Sequence, residues 1–188
     1  FYILLGIIFG FISVFWVKLF YSFERFFDGI KIRNEVKPAI GALIAGLIGM
    51  LFPTYGILGV GYEGIEMALT GLIPSTLLLV LGLIKMISTS LTIGSGGSGG
   101  IFAPSLYIGC MLGGFLGIIF KSIAPSIVLQ PYTYCLAGMA ALFAGAAQAP
   151  LTVIIMVPEM CANYSLLLPI MISSSISYFI AVSYTHLR

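Results

Sequence analysis

The sequence predicts an all-α polytopic membrane protein, and three observations carry that prediction. Of the 188 residues, 60% are hydrophobic and 7% are charged, and the mean hydropathy is +1.17, whereas an ordinary soluble domain carries roughly 25% charged residues. Apolar segments of helical length follow one another with short loops between them. Glycine- and proline-rich breaks interrupt them, and a bilayer tolerates such irregular backbone only where protein buries it or where it lines a cavity.

The first helix runs from Phe1 to about Phe27, long enough to cross the bilayer with tilt, and leaves through Glu24, Arg25 and Asp28. Pro38 to Phe52 is uncharged and rich in glycine and alanine, but at 15 residues it is short for a span. Pro53 to Gly61 is a turn-rich break. Tyr62 to Thr70 is a short amphipathic helix with Glu63 and Glu66 on one face at i, i+3 spacing. Pro74 to Leu91 spans again, interrupted by Lys85. Pro104 to Ile123 forms a span with Gly109, Gly113 and Gly117 four apart, a face that lets helix backbones approach closely in lipid. Thr133 to Ala147 and Pro150 to Met160 are short helices, and Leu166 to Val182 is a last span containing Ser173, Ser174, Ser175 and Ser177. Short and broken helices of this kind suit transporters whose ligands bind near the midplane.

The most informative run is Gly94 to Gly100, seven small residues that lead into Ile101, Phe102, Ala103 and Pro104. The first amides of a helix have no intrahelical acceptor, and the macrodipole puts roughly half a positive charge there, so such an end attracts anions. Glycine permits close approach of a ligand. Proline suits the first turn because its missing donor costs nothing there.

Other chemistries find less support. The net charge is +2, with Lys18, Arg25, Lys31, Arg33 and Lys37 close together, which the positive-inside rule assigns to a cytoplasmic loop. Nothing else suggests nucleic acid. Cys110, Cys135 and Cys161 lie far apart in apolar sequence, without disulfide or metal spacing, and read as inert packing. His186 is the one histidine, which removes a His-pair metal site. Phe1 opens directly on an apolar stretch without a charged leader, so the chain is expected to be a fragment.

The string Gly99-Gly-Ile-Phe-Ala-Pro-Ser-Leu-Tyr-Ile-Gly-Cys-Met-Leu-Gly-Gly114 resembles the GxFxP anion-binding signature of the chloride channel (ClC) family of channels and proton-coupled antiporters. Ala137 to Ala141, Gln148 to Thr152, Glu159-Met160 and Asn163 to Pro169 are similar to its next three helices in order, and Gly59 to Tyr62 with Ile65 resembles an earlier helix approach. The resemblance implies a helical domain of two inverted halves. This chain supplies the second half over residues 1–183, without the first half or the last helix, and 184–188 forms a truncated or foreign tail.

The family holds chloride at helix N-termini without a full positive charge in contact, since partial charges bind strongly enough to dehydrate the ion and weakly enough to release it. Carried over, the N–H groups of Ile101 and Phe102 are the expected anion ligands, in a turn set by Gly100, Ala103 and Pro104. The partners implied are chloride, protons, the missing half, the lipid bilayer and a second copy in a homodimer, with Pro150 to Met160 and Leu166 to Val182 contributing to the interface. No enzyme activity, cofactor or metal is implied, chloride being cargo. Apart from the resemblance, the short loops and the lack of a visible targeting signal suit a bacterial inner membrane. The family's GSGxP serine and GxEGP gating glutamate belong to the other half, and Tyr184 comes too early to be its gating tyrosine.

Charged and polar residues within the apolar sequence also carry expectations. Glu159 follows Pro158 at the end of a short helix and reads as structural or interfacial, and Glu63 with Glu66 reads as a solvated face. Lys85 either tunes the anion approach or snorkels out of its span. Thr152 and the serines near 174 are expected to hydrogen-bond between helices, and Tyr107 and Phe115 to pack. Three rivals stand beside chloride transport: another inverted-repeat transporter of ions or solutes, an intramembrane serine protease using Ser95 or Ser98, and a non-transporting membrane scaffold. The protease lacks a suitable base. The transporter for cations lacks a carboxylate cluster.

Overall fold

The computed structural model describes residues 1–186 and contains eight α-helices among them: α1 Tyr2–Gly29, α2 Lys37–Met50, α3 Tyr62–Leu69, α4 Ser75–Gly94, α5 Phe102–Ile123, α6 Thr133–Ala147, α7 Pro150–Met160 and α8 Leu167–His186. Short 3₁₀ turns at Pro53–Tyr55 and Tyr164–Leu166 precede α3 and α8. Four segments are long and apolar enough to cross a membrane by length and composition: Tyr2–Gly29, Ser75–Gly94, Phe102–Ile123 and Tyr164–Thr185. The chain is an integral membrane protein. At 14, 15 and 11 residues, α2, α6 and α7 are each shorter than about 23 Å and fall short of the roughly 30 Å hydrocarbon layer.

Helix α6 lies at the centre, with α5, α1, α7 and α8 packed around it. Its contact with α5 is backbone on backbone. A methyl group added at Gly109 would lie 2.5 Å from the Gly138 carbonyl oxygen, one at Gly113 2.3 Å from that of Tyr134, and one at Gly117 2.1 Å from that of Pro131. The four-residue glycine spacing is therefore the close-packing face it predicts. On the other side, Gly6 and Gly10 of α1 receive α8, and Gly145 of α6 seats Ser13 and Ser177.

Hydroxyls tie α8 to α6. Ser177 donates to the Ala141 carbonyl at 2.7 Å, while Ser173 is shared between Ala137 and Ile170. Ser174 is buried without a partner, and Ser175 is exposed. Thr152, also expected to bond between helices, is exposed on α7. Cys110 and Cys135 are buried free thiols, and Cys161 is half-buried. Glu63 and Glu66 are exposed, as a solvated face requires.

Several helix boundaries differ from the sequence reading by one to four residues, and those of α1 and α8 bear on it most. Helix α1 continues two residues beyond Phe27 to Gly29; Lys18 and Arg25 lie on it, as the predicted span already places them, and Lys37 opens α2, so of the clustered basic residues Lys31 and Arg33 are the ones in the loop between. Helix α8 runs through Tyr184 to His186; Leu187 and Arg188, the end of the expected tail, lie outside the described residues.

Candidate anion site

The seven-residue glycine run divides into two functions. Gly96 takes φ +92°, and the amides of Gly96 and Gly97 donate to the Ile93 and Thr92 carbonyls at 2.9 and 3.0 Å. This is a Schellman stop, with the left-handed residue where glycine avoids the Cβ penalty. Ser95 adds an amide bond to Leu91 and a hydroxyl bond to Thr92. Three of the last four carbonyls of α4 are thereby occupied. A side chain at Gly97 would meet the Thr92 oxygen at 2.5 Å, whereas around Gly100 there is nothing within 4 Å.

The second part of the run opens α5. The helix begins at Phe102 with Ile101 as N-cap, two residues before the predicted start at Pro104. Proline is accommodated there because the amides from the cap through the third helical residue lack intrahelical acceptors. With no N–H on Pro104, the unpaired set within the helix is Ile101, Phe102 and Ala103.

This end faces a cavity of ≈590 Å³ whose walls include Gly100, Phe102, Ala103 and Pro104, together with Ile57 to Val60, Ala45 of α2, and Lys85, Ser88, Thr89 and Thr92 of α4. Ile101 itself is 47% exposed. Phe102 packs edge-on against Phe143 of α6 with ring centres 5.2 Å apart, which anchors the first turn of α5 to the central helix. Ser105 then closes that turn through its amide to the Ile101 carbonyl at 3.1 Å.

Lys85 is the feature that sequence reasoning left open. It does not snorkel: it is 2% exposed, and its ammonium donates to the carbonyls of Gly56, Ile57 and Gly59 at 2.9, 2.8 and 2.8 Å. Those three bonds use the whole donor capacity of an ammonium. Beside it, the Tyr107 hydroxyl donates to the Tyr55 carbonyl at 2.6 Å. Thus α4 and α5 jointly hold the loop that walls the cavity. An ionisable residue inside an apolar helix was the available signal; its partners, 26 to 29 positions away, were not readable.

The remaining candidates fall elsewhere. Ser95 is committed to the α4 stop, and Ser98 is an exposed loop residue. Glu159 is exposed and accepts from the Tyr164 hydroxyl, a local structural contact. Tyr184 accepts from the Lys18 ammonium on α1, away from the residues that line the cavity.

The comparisons agree with this architecture. The model of the voltage gated chloride channel family matches residues 1–182. A curated relative, the H(+)/Cl(-) exchange transporter ClcA of Yersinia pestis bv. Antiqua (strain Angola), is 39% identical over 177 residues, which is 92% of this chain and 36% of the relative. Among solved structures, a slow cyanobacterial Cl-/H+ antiporter superposes with a TM-score of 0.84 at 28% identity, covering 97% of this chain and 43% of the other. A CLC-type fluoride/proton antiporter gives 0.77 at 27%, covering 97% and 44%. The chain therefore spans little more than a third of the curated relative's length. Matched along nearly all of its described residues by the family model, with this helical arrangement around a glycine-bounded helix start, the chain belongs to the voltage gated chloride channel family.

Proposed function

We propose that this chain forms the second half of a chloride-transporting membrane domain, over residues 1–183, and that the complete domain exchanges chloride for protons. The observation that carries the reading is the start of α5: unpaired first-turn amides beside a cavity lined by Gly100, Phe102, Ala103 and Pro104. Ile101 and Phe102 hold the anion through backbone N–H groups, and Gly100, Ala103 and Pro104 shape the turn. Binding by partial charges allows both dehydration and release. Exchange, as opposed to passive conduction, is supported by the names of the exchange transporter and antiporters to which the chain is similar. Chloride as the anion is supported by the names of the exchange transporter and of the cyanobacterial antiporter to which the chain is similar. The functional unit on this reading is a homodimer in a bacterial inner membrane, each subunit completed by the preceding half.

The test is chloride efflux from liposomes containing the full-length protein, with external pH recorded together. Chloride flux that drives protons the opposite way supports exchange; flux with no proton movement makes the protein a channel; absence of chloride flux from a folded preparation overturns the anion pathway. Gly100→Trp is expected to fold, since the site of its Cβ is open, and to abolish flux by filling the cavity.

A further inference from the structure

Lys85 is a cation in the middle of α4, and among the described residues its charge has no carboxylate partner: the ion pair present joins Arg33 to Glu35 in the loop before α2. Its compensation consists of neutral groups, the three carbonyls of Gly56, Ile57 and Gly59 and the face of Tyr107, whose ring centre lies 5.0 Å from the ammonium. Carbonyls and a ring quadrupole orient and solvate a charge without cancelling it. A net positive charge therefore remains fixed in the wall that faces the start of α5 across the cavity. The same hydrogen bonds prevent the ammonium from reaching an ion directly.

We propose that Lys85 is a positioning residue for anion transport with a distinct electrostatic share: it clamps the 56–59 backbone that walls the cavity and raises anion affinity by its field, without touching the anion. The inference rests on the anion reading of the α5 start. It reconciles two requirements of such a site. A lysine free to bond chloride would grip it, whereas one whose donors are all spent attracts the ion into the cavity and leaves the final contacts to weak backbone dipoles. A sphere of ≈590 Å³ is about 10 Å across, and one unit charge at that distance in a medium of effective dielectric about 20 changes anion affinity by roughly tenfold or somewhat more.

The test uses the full-length transporter in liposomes, measuring the chloride concentration for half-maximal flux, the maximal flux per folded protein and the thermal midpoint. Lys85→Met is expected to raise the half-maximal chloride concentration about tenfold, and Lys85→Arg, which keeps the charge, to recover most of that loss. A clamp without an electrostatic share would lower maximal flux and thermal stability in Lys85→Met while leaving the half-maximal concentration unchanged, and that result overturns the proposal. Should Lys85→Met fail to fold, Lys85→Gln decides, because its amide keeps donors for the 56–59 carbonyls while removing the charge. It is expected to raise the half-maximal chloride concentration severalfold relative to Lys85→Arg; equal half-maximal concentrations in the two overturn the proposal. Absence of chloride flux in the unmodified protein would instead overturn the underlying transport reading, so the two failures are distinct.

Discussion

Lys85 and Tyr107, on neighbouring helices α4 and α5, touch each other and hold adjacent stretches of one loop. The ammonium lies 5.0 Å from the Tyr107 ring centre and binds the carbonyls of Gly56, Ile57 and Gly59, while the Tyr107 hydroxyl takes that of Tyr55. Gly61 and Gly64 close over the same ring, where a methyl group would lie 2.6 and 2.7 Å from its carbons.

Tyr107→Phe isolates one part of this clamp. The ring and its contact with Lys85 survive, while the Tyr55 carbonyl loses its donor. The expected cost is about 1–3 kcal/mol, read as a lower thermal midpoint in detergent. An unchanged midpoint would show that this carbonyl finds another donor at no cost.

The glycines of α5 make a sharper demand. Gly113→Ala puts a methyl group 2.3 Å from the Tyr134 carbonyl oxygen, so α5 and α6 must separate, at a cost of about 1–3 kcal/mol. At Gly46 of α2 there is nothing within 4 Å of the added carbon. Gly46→Ala is expected to stabilise by up to about 1 kcal/mol through helix propensity. Thermal unfolding of the two variants side by side checks both signs.

Within the glycine run, Gly96→Ala forces a side chain to φ +92° and is expected to destabilise by about 1 kcal/mol or more. Gly99→Ala meets its nearest neighbour, Ile93, at 3.5 Å, an ordinary contact. Its thermal midpoint is expected to stay within a degree or two of the unmodified protein. Equal losses in the two variants would contradict the division of the run into a helix stop and a helix start.

The serines of α8 separate by partnership. Ser177→Ala removes the bond to Ala141 at 2.7 Å, with an expected loss of about 0.6 kcal/mol, the usual worth of such a bond in a membrane protein. Ser174 is buried without a partner, so Ser174→Ala relieves an unpaired hydroxyl and is expected to be neutral or stabilising. Denaturant unfolding in mixed micelles ranks them.

Helix positions were largely legible because proline and glycine punctuate this chain. Predicted and observed bounds coincide for α6, Thr133–Ala147, and for α7, Pro150–Met160. The glycine face of α5 was legible from spacing alone, and a helix start just after Gly100 from the position of the glycine run between two apolar segments. What each helix faces was harder to read. In a membrane both the lipid and the protein side are apolar, so periodicity does not separate them as it does in a soluble helix. Thr152 and Ser177 are both hydroxyl residues in apolar sequence, yet one is exposed and the other joins two helices. The partners of Lys85 were out of reach for a different reason: backbone carbonyls are present at every residue, and side-chain chemistry does not mark which of them a distant ammonium will meet.

Two helix poles of opposite sign meet in the Ser95 to Gly100 stretch, and only one is left uncovered. Three of the four terminal carbonyls of α4 are occupied by donors of Ser95, Gly96 and Gly97, so the negative pole is quenched by its own loop. The positive pole of α5 keeps its donors. The connection thus acts as a one-sided electrostatic insulator, muting the end that would repel an anion and leaving bare the end that attracts one.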